Sequence, residues 1–399
     1  MNILFISISS LPHISGHSIS LDVIHELQKQ GHNVYVVCSI EKKENKDTYL
    51  CEEADCQVLR VKIGNNKKAN IIEKGLTTLL LPTFYKKAIK KYFANVKFDL
   101  VVYPTPPVTQ VSTVKYVKKR DGARSYLLLK DIFPQNAVDI GMMSKKGIKG
   151  LLYRYFRKVE KKLYAISDKI GCMSPANKEY LLRHNPEIPA DKVEIFPNCI
   201  QVQDMRIDNG TRENLREKYD IPLDKKVFVY GGNLGKPQGI PFLIECLKAQ
   251  ENNDNAYFLI VGDGTEYTKL ETYFQDRQAT NMRLMKRLPK EDYDKLVAAC
   301  DVGMIFLDYR FTIPNFPSRL LAYMQAGLPV LACTDKNTDI GKVITENKFG
   351  WWCESNDVAA FSACVEQAVA ADLQTLKQNA YDCLLKEYVA EQHVQKLQA

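Results

Sequence analysis

The sequence predicts an α/β protein built from two doubly wound parallel sheets, each a Rossmann-like domain. Three observations lead there. Short β-branched or continuous apolar runs recur along the whole chain, the mark of strands covered on both faces. Segments of helical periodicity separate them, so the rhythm is strand, helix, strand. That rhythm occurs twice, on either side of a polar stretch, and 399 residues suffice for two domains of about 150–200 residues each.

The first half carries strand-like runs at Ile3–Ile8, Val34–Cys38, Gln57–Val61, Leu100–Tyr103, Tyr126–Leu129, Lys169–Met173 and Val193–Phe196. The opening MNILFISISS has no basic residue before it and is cut short by Pro12, so it reads as a first strand and not as a signal peptide. A helix from about Ser18 to Lys29 ends at Gly31, and the next strand begins shortly after. Phe196-Pro197-Asn198-Cys199-Ile200 marks the crossing, followed by the charged stretch Gln201–Lys225. The second half repeats the pattern at Val227–Tyr230, Tyr257–Val261, Met282–Met285, Val302–Phe306 and Val330–Ala332. Near its end, Pro317 and Ser318 can start a short helix, proline by fixing φ and serine by accepting backbone N–H groups. Leu320, Leu321 and Met324 give that helix an apolar side, Gly327 stops it and Pro329 prevents its resumption. Expected domains are 1–198 and 199–375, with 376–399 as a last helix.

Composition excludes several classes. A hydrophobic fraction of 45% with 26% charged residues suits a soluble enzyme with real cores. No run reaches the roughly 18 apolar residues of a membrane-spanning helix. The eleven cysteines are scattered singly, without C-x-x-C or Cys/His clusters, which argues against a zinc site and for reduced thiols in the cytoplasm. The net charge of +8 suits anionic ligands or acidic lipid, and no nucleic-acid-binding motif accompanies it.

Four stretches can carry chemistry. Tyr230-Gly231-Gly232-Asn233-Leu234-Gly235-Lys236-Pro237-Gln238-Gly239 follows the first strand of the second half. Its glycines let backbone approach a diphosphate that Lys236 would neutralise, although a plain turn would use the same residues. Val261-Gly262-Asp263-Gly264 ends the next strand, where Asp263 serves either a ligand or the helix that follows. The helix start at Asn315, Ser318, Arg319 and Leu320 offers N–H groups to a phosphate. In the first half, Asp131 stands at a strand's C-terminal end in Leu129-Lys130-Asp131-Ile132-Phe133-Pro134-Gln135-Asn136, placed either to take a hydroxyl proton or to cap a turn. Gly16 sits in the loop after the first strand, flanked by His13 and His17, which read as surface residues. Two basic amphipathic stretches, 71–93 and 145–162, suit either an anionic membrane face or a solvated helix.

The segment PNFPSRLLAYMQAGLPVLA resembles the donor-binding element of retaining glycosyltransferases of family 4, usually worded PSKLFEYMAAGKPV. DIFPQNAVDIGMM resembles the DLWPESAVxLGLL block of members that build capsule, O-antigen or exopolysaccharide. The glycine-rich turn resembles G-R-L-x-x-x-K-G, with Asn233 and Gln238 at its two basic places. The resemblance implies a two-domain fold of the B type with facing sheets and a cleft, closure that excludes water, and a last helix over 376–399 that returns to the first domain. It implies sugar transfer from a UDP- or GDP-sugar to a lipid-linked saccharide at the inner face of the plasma membrane. It further implies retention of configuration, no cofactor and no metal. Gly16 would lie against the donor phosphate, and Gly262, Asp263, Gly264, Arg287 and Leu288 would line the nucleotide base. One departure stands out: the two glutamates of the family's E-x7-E pair are Pro314 and Ala322 here. Losing charge-assisted bonds to the ribose costs roughly 1.5–3 kcal/mol per bond. A non-catalytic scaffold partner of another transferase is therefore an alternative, and a nucleotide-sugar epimerase on the same fold is a third.

Overall fold

The computed structural model describes residues 1–11, 13–65, 71–275 and 280–398, so Pro12 lies outside the described residues. The chain divides into two compact units: Met1–Gln201 with Ala390–Ala399, and Val202–Val389.

The first unit holds one sheet of eight strands: β1 Asn2–Ile6, β2 Asn33–Glu41, β3 Tyr49–Glu53, β4 Cys56–Ile63, β5 Leu100–Pro104, β6 Arg124–Leu129, β7 Lys169–Cys172 and β8 Val193–Ile195. They lie in the order β3-β4-β2-β1-β5-β6-β7-β8, parallel except for β3, which runs against β4. Ile3 and Phe5 of β1, Val36 of β2 and Val102 of β5 are completely buried because helices cover both faces of the sheet. The helix Ile19–Lys29 starts where Ser18 accepts the Leu21 N–H and stops before Gly31 at φ +82°. Strand order reverses between β1 and β5, the place where open α/β sheets bind ligands beyond their strand ends.

The second unit holds six parallel strands: β9 Lys226–Asn233, β10 Ala256–Asp263, β11 Met282–Lys286, β12 Val302–Phe306, β13 Val330–Thr334 and β14 Gly350–Glu354. Their order is β11-β10-β9-β12-β13-β14, the Rossmann order, with the reversal between β9 and β12. Phe228 stacks on Phe258 at 5.2 Å, and Tyr230 meets Phe306 edge-on at 5.8 Å, so aromatic rings fill the space beside the central strands.

Every strand expected from the sequence is present. Two others were not expected. β3 is a polar edge strand with mostly exposed or half-exposed residues, and β14 begins at a glycine and carries Trp351 and Trp352 half-buried. The return of the C-terminus is shorter than 376–399. Asp372 caps the helix Leu373–Glu387, which packs on the helix Arg319–Gln325 within the second unit. Only the last ten residues join the first unit, where Ala390, Val394 and Leu397 enter its core and Ala390 N–H donates to Ile200 O at 2.8 Å. None of the eleven cysteines forms a disulfide.

The helix Asn209–Lys218 is fastened to the second sheet by a buried ion pair. Arg216, fully buried, bonds Asp301 Oδ2 at 2.5 Å and the carbonyls of Ala299, Pro222 and Lys225; Arg212 holds the other Asp301 oxygen at 2.7 Å. Burial alone would raise the Asp301 pKa, but Arg216 and the Val227 N–H outweigh it and hold the carboxyl below its usual value. Breaking one partner strands the other, so Asp301→Asn should cost about 3 kcal/mol in urea unfolding of the second unit. Because the folded pKa is depressed, this stabilisation is present above the unfolded value of 3.8 and lost as pH falls through the lower folded one.

Candidate active site

In the second unit the expected donor residues gather at the C-terminal ends of β9 and β12, the reversal of strand order. β9 ends in two glycines for two different reasons. A Cβ on Gly231 would meet the Tyr293 hydroxyl at 1.9 Å, while Gly232 has φ +116° and is exposed. Arg319 reaches this point from the far side: a Cβ on Gly232 would stand 3.3 Å from its Nη2. Its guanidinium lies 4.2 Å from the centre of the Tyr230 ring, and its Nη1 is buried with no hydrogen-bond partner among the described residues. The side chains that act on it most strongly are tyrosines, Tyr230, Tyr323 and Tyr293. A permanently charged group held against aromatic rings without an anion is an unmet demand for one.

The helix start differs from expectation. The helix Arg319–Gln325 has seven residues, and Ser318 is already in helical conformation with no side-chain cap bond. Leu320 N–H is spent on Pro317 O at 3.3 Å, and Pro317 has no N–H to give. Free amides at 317–320 are therefore fewer than the sequence promised, and the positive charge resides in the Arg319 side chain. The stop is as expected: Gly327 adopts φ +65°, and Leu328 N–H closes on Tyr323 O at 2.9 Å.

Asn233 and Gln238, at the basic places of the resembled motif, bond to each other: Asn233 Nδ2 donates to Gln238 Oε1 at 3.0 Å, and the Gly235 N–H joins at 3.1 Å. The turn is held shut by a neutral pair, with Lys236 exposed on it. Gly262 and Gly264 are packing residues, since a Cβ on them would strike Gly232 O at 2.1 Å and Leu234 O at 2.3 Å. Asp263 does not cap the helix Tyr267–Gln275; its carboxylate accepts the neighbouring Gly264 N–H at 2.8 Å. Asn315 lends its carbonyl to the Thr338 hydroxyl, tying its loop to the segment after β13. Arg287 is exposed and Leu288 half-buried in the loop after β11. Pro314 is buried and Ala322 half-buried, so neither place offers a carboxylate.

In the first unit Asp131 follows β6 beside the β1/β5 reversal. Thr105, just beyond β5, clamps the loop: its hydroxyl donates to Asp131 O at 3.1 Å and accepts the N–H of Lys130 at 3.2 Å and of Asp131 at 3.3 Å. The Asp131 side chain is tied to the segment that follows it, Oδ2 accepting from Asn136 Nδ2 at 2.7 Å. Burial lifts its pKa to about 6, against the Ile132 N–H and Asn136, with Glu160 adding repulsion. Behind the loop a cavity of about 140 Å³ lies between Ile132, Gln135, Tyr153 and His184.

Two neighbours were not foreseen. Lys130 is desolvated until its pKa falls to about 8, with Nζ 3.2 Å from Pro197 O and 5.5 Å from the Phe196 ring. Glu160 is buried with Arg157 at 2.6 Å and Tyr164 at 2.6 Å. Lys130 adjoins Asp131 in sequence and was within reach; Glu160 carried no signal outside a basic helix. Gly16 has ordinary room around it, its nearest neighbour being His13 O at 3.4 Å, so its freedom is not sterically required. Among the described residues one group could hold a cation, His17, Asp22 and His25 with ligand atoms within 4.8 Å, but His17 already pairs with Asp22 at 3.1 Å.

The sequence compares with known proteins along nearly its whole length. Residues 19–204 match the family described as Glycosyltransferase Family 4, and residues 211–382 match Glycosyl transferases group 1. WbjE of Pseudomonas aeruginosa, named as a glycosyltransferase, is 26% identical across 79% of this chain and 76% of its own. WcaI of Escherichia coli K12, named for colanic acid biosynthesis, is 22% identical across 92% of each chain. An Escherichia coli galactosyltransferase named for UDP-Gal and α-D-GlcNAc-diphosphoundecaprenol is 26% identical over 48% of this chain and 49% of its own. Among solved structures, WaaG, a glycosyltransferase involved in lipopolysaccharide biosynthesis, superposes with a TM-score of 0.67 at 14% identity, covering 99% of this chain and 98% of its own. Anabaena HepE with UDP and glucose gives 0.68 at 16%, covering 100% and 98%.

Proposed function

This chain is a glycosyltransferase whose first half matches family 4, and we propose that it moves a sugar from a nucleoside-diphosphate sugar to a lipid-linked saccharide during assembly of a surface polysaccharide. The carrying observation is the Arg319 guanidinium beside Gly232 at the β9/β12 reversal, with its Nη1 buried and without a hydrogen-bond partner among the described residues. A diphosphate seated over Gly232 supplies the anion that Arg319 lacks, and Lys236 adds a second cation from the turn. Asp131 receives the acceptor hydroxyl: its carboxylate, tuned to about 6, is charged at neutral pH and can take a proton or hold the hydroxyl in line. Neither the donor nor the acceptor group asks for a resident metal, and configuration at the transferred carbon is retained. Relatives named for colanic acid and for a diphosphoundecaprenol acceptor support the pathway class and the acceptor class. Capsule or O-antigen assembly inside the cytoplasm, at the inner membrane face, is the setting this reading implies. Among the described residues no helix is long and apolar enough to cross a membrane.

The absent carboxylates at Pro314 and Ala322 and the neutral Asn233–Gln238 pair favour one other reading, a donor-binding scaffold without turnover. Nucleotide binding and turnover separate the two. UDP or GDP at about a hundred times its Kd stabilises the native state by about 2.7 kcal/mol, so one of the two should raise Tm by several degrees. A shift accompanied by sugar release from the matching nucleotide-sugar supports transfer. A shift without release over a full panel of donors supports the scaffold, and no shift with either nucleotide overturns both.

A further inference from the structure

The loop after β1 and the helix Ile19–Lys29 bring two imidazoles and one carboxylate together, and the donor and acceptor groups above leave them unused. His17, Asp22 and His25 each offer a ligand atom, and the three atoms lie within 4.8 Å of one another. Asp22 and His25 are three residues apart and so share a face of the helix. His17 comes from the loop, directly before the Ser18 cap.

Two of the three ligands are held from behind by backbone. His25 Nε2 lies 2.7 Å from Ile14 O. A carbonyl only accepts, so Nε2 carries the proton and Nδ1 keeps its lone pair. Asp22 is 2% exposed, with Oδ2 accepting the Gln201 N–H at 3.2 Å and Oδ1 beside His17. Such outer partners are what orient metal-binding side chains and fix their tautomers. His17 stays on the outside, its side chain 42% exposed, which gives an ion a way in and a solvent-facing position for a water as fourth ligand.

The spacing also suits an ion. His17 Nδ1 stands 3.1 Å from Asp22 Oδ1. Two ligand atoms at zinc distances of about 2.0–2.1 Å stand about 3.3 Å apart around a tetrahedral centre. The hydrogen bond between them therefore spans nearly the gap an ion would bridge. For binding, the proton of neutral His17 moves from Nδ1 to Nε2, and the ion takes the place it leaves. The donor set selects the kind of ion. Mg²⁺ and Ca²⁺ take oxygen ligands, whereas two imidazoles with a carboxylate suit Zn²⁺, and Fe²⁺ holds the same donors more weakly.

We infer that His17, Asp22 and His25 form a site for one Zn²⁺ ion, which clips the loop after β1 to the helix Ile19–Lys29 and, through Asp22, to Gln201 at the crossing. The site goes beyond sugar transfer and does not depend on it.

The test uses the untagged chain, stripped with EDTA and dialysed. Titration with Zn²⁺ against a chromophoric chelator should show one ion bound per chain, and Zn²⁺ at about a hundred times its Kd should raise Tm by several degrees. Mg²⁺ at the same concentration should leave Tm unchanged. Co²⁺ in place of Zn²⁺ should give a visible spectrum without a thiolate charge-transfer band, which separates this site from the eleven free cysteines. Losing an outer partner of a metal ligand already costs about 10–100-fold in affinity, so losing a ligand should cost at least about tenfold. His17→Gln, at an exposed side chain, should show that loss with unchanged circular dichroism. His25→Gln should show it too, its amide able to keep the bond to Ile14 O while the imidazole is gone. No uptake of Zn²⁺ by the stripped native chain overturns the proposal. So does undiminished binding by both variants, an equal response to Mg²⁺, or a thiolate band in the Co²⁺ spectrum.

Discussion

Methionine in place of Arg319 is expected to lower kcat/KM for sugar transfer by about 10³-fold, the loss seen when a preorganised donor to a developing charge is removed. Charge builds on the diphosphate as the sugar departs. The neighbouring turn meets it with the neutral Asn233–Gln238 pair and the exposed Lys236. Arg319 is the cation held in place, its guanidinium desolvated against Tyr230 and its Nη1 without a hydrogen-bond partner among the described residues. The same isolation predicts the opposite effect on stability. An apolar chain of similar length removes a buried unpaired charge, so the Arg319→Met protein should melt at or above the native temperature while losing its shift with UDP or GDP. Arg319→Lys should recover no more than about a tenth of the activity, since an ammonium group cannot lie flat on Tyr230 and still fork toward Gly232. Transfer within about threefold of native by a folded Arg319→Met protein would remove this residue from the reaction.

The Asp131→Asn protein is expected to lose between about 10² and 10⁴ of kcat, the span of a positioned proton acceptor. The pH profile gives the sharper reading. With a pKa near 6 the native carboxyl is charged above that point, so the rate should fall as pH drops through about 6, and the variant should lose this limb. Stability moves the other way. A folded pKa raised above the unfolded 3.8 means that the contribution is fully present below 3.8 and is lost as pH rises through about 6. At pH 8 the charged group is a burden on the fold, and the amide should melt higher by about 1–3 °C. A variant that is both slow and less stable at pH 8 would point to a structural role for the Asn136 bond in place of a chemical one.

The architecture was legible because β1, β5, β12 and β13 are nearly saturated with apolar residues, and only strands covered on both faces read that way. β3 escaped for the converse reason: an edge strand with Glu52 and Glu53 has no apolar run to notice. β14 is short, starts at a glycine and relies on tryptophans that stay half-buried. At the donor end the sequence singled out Arg319 and Gly232 separately. Their meeting depends on a chain reversal that no local pattern encodes, so the amides at 317–320 received the role that we propose for the side chain. The low pKa of Lys130 likewise comes from burial beside Phe196 and Pro197, which lie in another strand's tail.

The rims of β9 and β10 touch backbone to backbone, with Gly262 under the Gly232 carbonyl and Gly264 under that of Leu234. A single added carbon would wedge the two strand ends apart, so the floor beneath any bound nucleotide is cast in one shape. On the function proposed above, sugar or base preference would be set by the uprights standing on that floor, Asn233, Gln238, Arg287 and their loops. Engineers wishing to retarget the protein should redecorate those positions and leave the casting alone.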